Sequence, residues 1–195
     1  MAVFQQTVDK NDIGCERAHS AAVNVIAFAL TAVLLVGTAV VIGLLTNPDW
    51  FVNGASSQGI PGLIPHSRTG ILLRNASVAM LLFSGVVTGG LTTVLGCFTV
   101  GAYMGMAISL AIHDSGVATV VATTWQYSVF EFAGFTMAAM GGVYPILDLL
   151  LRRRRRQSNG FASYYTAAGA ALTYFACALV FLCVGAVTEG FLSLR

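Results

Sequence analysis

ILLRNASVAMLLFSGVVTGGLTTVLGCFTVGAYMGMAISLAI, residues 71–112, is apolar for some 42 residues and carries one charge, Arg74. About 20 residues of helix cross the ~30 Å hydrocarbon core of a bilayer, so this stretch is too long for one crossing even with tilt. It must fold back on itself. The break is expected between Gly89-Gly90 and Gly96, because glycine lets a membrane helix turn at the least steric cost. Two spans, 71–89 and 96–112, follow as full crossings or as re-entrant helices. Thr88, Thr92 and Thr93 are placed to satisfy backbone carbonyls freed by the turn.

The rest of the chain reads the same way. Of 195 residues, 56% are hydrophobic and 9% charged, against roughly 25% charged in a soluble domain. A soluble fold would need a charged coat that this composition lacks, so the bilayer must supply the exterior. Three further apolar segments, 21–45, 117–144 and 164–188, are each long enough to span. The expected fold is an all-α polytopic bundle of about five spans, with a polar segment, 1–20, ahead of it. Met1–Ser20 has mixed charge and does not fit a secretory signal.

Thr46-Asn47-Pro48-Asp49 ends the first span, and a long loop, 46–70, follows. It is a lid, a partner-binding segment or a slack linker. Pro145 should bend or stop the fourth helix before Asp148, since proline lacks a backbone donor and clashes with the preceding turn. Arg152, Arg153, Arg154, Arg155 and Arg156 supply five of the ten basic residues and sit in a short loop, 151–160. Arginine runs also bind nucleic acid or anionic lipid, but between two apolar segments the economical reading is a cytoplasmic flank, with no nucleic-acid partner. The N-terminus is then cytoplasmic, loop 46–70 external and the C-terminus external. Lys10 and Arg17 agree with this orientation, whereas Arg68 and Arg74 run against it.

Few residues promise chemistry. There is no Walker loop, HExxH, GxSxG or dinucleotide-binding turn, and no catalytic, cofactor or metal site is expected. Three of the four cysteines, Cys97, Cys177 and Cys183, lie in apolar segments, and Cys15 stands apart. His113-Asp114 reads as a solvated connector and Glu189 as an interfacial residue. Glu131 is different, because a carboxylate deep in a span costs about 3 kcal/mol and usually faces the bundle interior with a partner. Tyr127 and Ser128 lie one turn earlier, and with Gln126 they make a candidate polar cluster; it is either an ion or proton site, a partner contact, or a buried hydrogen-bonded lock on helix register. Arg74 and Asn75 open the second span. Gly85 and Gly89, like Gly101 and Gly105, stand four apart, and Gly141-Gly142 precede Pro145; these favour dense packing, oligomerisation or a hinge.

Leu72-Leu73-Arg74-Asn75-Ala76-Ser77, the glycine-rich pair of spans and the helix bearing Val129-Phe130-Glu131-Phe132 together resemble the stage II sporulation protein M (SpoIIM) family over roughly residues 71–148. Asn75 matches the family's asparagine, Gly89-Gly90 its turn, Gly101 and Gly105 its small-residue helix, Glu131 its glutamate and Gly141-Gly142 the following glycine. Tyr127 and Ser128 depart from it, standing where the family has histidine and glycine, so no His/Glu pair is available; a tyrosine hydroxyl is able to bond the carboxylate instead. The resemblance implies a prokaryotic cell-membrane protein, a non-enzymatic scaffold or accessory subunit that recruits other envelope proteins. The alternative is a small oligomeric transporter or channel subunit with Glu131 at a midplane site.

Overall fold

A computed structural model describes residues 10–47, 68–154 and 160–192. Most of the expected loop, the first nine residues, and Arg155 and Arg156 lie outside the described residues. Six helices follow one another, α1 (Lys10–Leu45), α2 (Arg68–Phe83), the single turn α3 (Gly85–Thr88), α4 (Leu91–Ser115), α5 (Val117–Arg154) and α6 (Gly160–Leu192), with no strand among the described residues. Five stretches are long and apolar enough to cross a membrane: Glu16–Leu45, Gly70–Thr88, Leu91–Ser115, Val117–Arg153 and Ala162–Glu189. The chain is a multi-pass, all-α membrane protein.

The burial pattern of α1 shows the solvent it is built for. His19, Val23, Ala27, Thr31, Leu35 and Ala39 form one buried stripe, each four residues from the next. Off that stripe Val25, Phe28, Val33, Val40 and Leu44 are exposed. In water such a face would be a large uncovered apolar patch, whereas in hydrocarbon it costs nothing.

The turn in the 71–112 stretch falls at its first glycine pair. Gly89 (φ 63°) and Gly90 (φ 89°) are both left-handed, and the Gly90 N–H donates to the Gly85 carbonyl at 2.7 Å. A side chain at either position would strain the backbone, which is why the reversal sits there. Gly96 takes no part in it. It lies inside α4, which starts at Leu91 rather than at 96, and a Cβ there would come 3.0 Å from Leu82 Cδ2. α2 breaks at Ser84, and Thr93 Oγ1 donates to the Leu82 carbonyl at 2.6 Å, taking up the acceptor left at that step. Thr88 Oγ1 accepts from the Thr92 N–H at 3.1 Å, so the three threonines hold the turn from both sides.

Pro145 does not stop its helix. α5 runs unbroken through it to Arg154. Proline in a membrane helix is tolerated where neighbouring helices hold the backbone, and Pro145 is among the most completely buried residues of the protein. α5 is the axis of the bundle, packing against each of the other described helices; an 18-residue window of it is 61% buried within the protein, against 28% for one of α6.

Several of the glycines sit at close contacts between helices. A Cβ on Gly101 would sit 2.7 Å from the Leu35 carbonyl oxygen, and one on Gly105 would overlap the Ala39 carbonyl, so this pair seats α4 on α1. Gly85 and Gly142 face Thr93 from α3 and α5, and Gly141 meets Ala171 of α6. All are seams within one chain.

The largest apolar core cluster centres on Leu35, Leu82, Cys97, Phe135, Ala138 and Leu182, with the buried hydroxyls of Thr31 and Thr93 turned to backbone carbonyls beside it. Polar side chains gather on either side of this layer. One group lies at the arginine end of α5, the other toward the Gly116 end.

Candidate functional site

Toward the Gly116 end, α2, α4, α5 and α6 splay around a cleft of about 500 Å³. Helical spacing brings its polar residues together. Arg74 and Asn75 lie in the second turn of α2, Tyr103 on α4, Tyr127 and Glu131 one turn apart on α5, and Glu189 near the end of α6. Asn75 Nδ2 donates to Glu131 Oε1, so the half-buried carboxylate has its partner on another helix. Arg74 donates through Nη2 to the Tyr103 hydroxyl, and its guanidinium lies 5.1 Å from the centre of the same ring. α6 passes beside Glu131 at Gly185, where a Cβ would stand 3.4 Å from Glu131 Cγ, an ordinary packing distance.

Of the residues singled out in the sequence, the fold unites Arg74, Asn75, Tyr127 and Glu131. Gln126 is exposed, and Ser128 does not line the cleft. His113 and Asp114 stand 3.6 Å apart on the surface. Glu131 lies one turn from Phe135 of the apolar core, on its Gly116 side.

The arginine end holds a cluster that sequence reasoning missed. His19 Nε2 and Asp148 Oδ1 are 2.9 Å apart and both residues are buried. Arg152 Nε donates to Asp148 Oδ2 at 2.9 Å and to Oδ1 at 3.1 Å, and Ser163 Oγ donates to Oδ2 at 3.4 Å. α1, α5 and α6 are thereby tied at one carboxylate. Nearby, the Tyr174 hydroxyl donates to Asn24 Oδ1 at 2.7 Å and the Tyr164 hydroxyl to the Val86 carbonyl. The signal in the sequence was Pro-Ile-Leu-Asp-Leu-Leu-Leu, an aspartate in an apolar run with an arginine one turn on, where the pairing is favoured.

Among the described residues, no three His, Cys, Asp or Glu side chains are grouped to hold a metal ion. A scan against protein-family models, a search of curated proteins and a search of solved structures found no match to the chain.

Proposed function

We propose that the protein is a non-conducting scaffold or accessory subunit of a prokaryotic cell membrane, of the stage II sporulation protein M kind, that holds other envelope proteins or further copies of itself. The observation that carries this reading is the apolar layer between the two polar clusters. Leu35, Leu82, Phe135 and Leu182 pack together inside the bundle, and the fully buried polar side chains beside them among the described residues are the threonines Thr31 and Thr93, with no buried charge there. Asn75 and Glu131, two polar positions on which the resemblance rests, are hydrogen-bonded to each other across 56 residues of sequence. In this reading the arginine run is cytoplasmic and the segment between α1 and α2 is external, free to meet partners.

Purified protein in liposomes should pass neither protons nor monovalent ions above the rate of empty vesicles. Flux that is lost in Glu131→Gln would overturn the scaffold reading in favour of the second one, a transporter subunit, which the cleft beside Glu131 favours. Single cysteines placed between residues 48 and 67 should crosslink to specific envelope proteins and react with impermeant maleimide from outside. Labelling only after permeabilisation would reverse the orientation.

A further inference from the structure

The cleft between α2, α4, α5 and α6 is open along one side. Leu81 on α2 and Thr99 and Tyr103 on α4 all line it and are nevertheless exposed, Leu81 at 49% and Tyr103 at 52%. They form the lips of a slot between these two helices, and in a membrane that side meets lipid. From Gly70 to Leu81 the slot follows α2 for about 16 Å. Its floor is apolar, made by Val78, Val100 and Phe135, which pack within or against the largest core cluster. A volume of about 500 Å³, long, apolar below and open to lipid, suits an extended hydrocarbon chain that enters from the side.

Arg74 decides the head. It is exposed and lies within the Gly70–Thr88 span, its Cα about 6 Å from the end of that span. A charge at such a depth is costly on a lipid-facing surface unless a polar group meets it. Tyr103 holds the guanidinium at the slot, accepting a hydrogen bond from Nη2 and offering its ring. A guanidinium has five N–H donors, so a donor pair remains for a phosphate, whose geometry the fork matches. Glu131 and Glu189 line the same cleft. A zwitterionic head carries its own ammonium beside the phosphate, so it asks no net charge of either sign from the site.

We propose that this slot holds a zwitterionic phospholipid of the surrounding leaflet, its phosphate on Arg74 and one acyl chain between α2 and α4 against Val78 and Val100. The binding rests on the membrane-spanning fold and is independent of whether the protein recruits partners or moves solutes.

The test is native mass spectrometry of the full chain in a mild non-ionic detergent, titrated with three lipids that share the same two chains: dioleoylphosphatidylethanolamine, dioleoylphosphatidylglycerol and dioleoylglycerol. The proposal expects one saturable phosphatidylethanolamine per chain, with phosphatidylglycerol weaker and dioleoylglycerol weaker by at least about tenfold. Arg74→Gln should bring phosphatidylethanolamine down to the level of dioleoylglycerol. Thr99→Phe, at an exposed lip, should narrow the slot and weaken phosphatidylethanolamine by a similar factor. Each variant is checked for wild-type thermal unfolding, and either one alone suffices if the other does not fold. Glycerophosphoethanolamine, the head without its chains, should fail to displace the lipid. Either comparison lipid bound as tightly as phosphatidylethanolamine, full displacement by the chainless head, or unchanged binding in the folded variants would overturn the proposal.

Discussion

Asp148 and Glu131 are carboxylates on one helix, about 26 Å apart along its axis, and their surroundings differ completely. Asp148 is buried and saturated, its two oxygens receiving His19, Arg152 and Ser163. Glu131 is half-buried, takes Asn75 on one oxygen and borders a cleft of about 500 Å³. The first arrangement resembles a rivet: its groups have been taken from water and fully paid back by one another, leaving nothing to offer a ligand. The second leaves charge and space together, the combination that marks a binding site. Residue type alone does not separate them; satisfaction does.

The contrast breaks most visibly at the rivet. Replacing Asp148 with alanine leaves the buried His19 without its partner and removes the polar tie between α1 and α5, and should cost about 3 kcal/mol or more, read as a lower midpoint of denaturant unfolding in mixed micelles. His19→Ala removes one partner while Arg152 still holds the carboxylate, so a loss of about 1–3 kcal/mol is expected in the same measurement. Thr93→Val tests the seam between the two regions. It leaves the buried Leu82 carbonyl unpaired and should cost about 1–2 kcal/mol in the same measurement. Smallest of all, Glu131→Gln keeps an acceptor for Asn75 and should shift stability by under about 1 kcal/mol. A Glu131→Gln loss as large as that of Asp148→Ala would make both carboxylates structural and erase the distinction.

How far the sequence foretold this arrangement follows from the range of each signal. The number of helices is a matter of apolar length, and residues 71–112 had to fold back as two helices, full crossings or re-entrant ones. The glycine pair gave the turn because left-handed backbone is a local demand. Of the two outcomes expected at Pro145, a bend or a stop, the stop does not occur, because burial among other helices keeps the helix continuous and no local window contains that burial. Grouping Gln126 with Glu131 failed on angle, since five residues rotate a helical position by about 140° to the far side. Asn75 and Glu131 each stood out alone, yet their meeting required the fold. His19 and Asp148, 129 residues apart, left no mark on each other's neighbourhood.

The apolar layer also has an electrical consequence. A membrane potential falls mainly across dry, low-dielectric material, and moving one elementary charge through 100 mV is worth about 2.3 kcal/mol. Among the described residues that layer contains no carboxylate, guanidinium, ammonium or imidazole for the field to act on. A voltage step applied to this bundle thus has little charge to move, and its two ends should keep their packing whether the membrane is polarised or not.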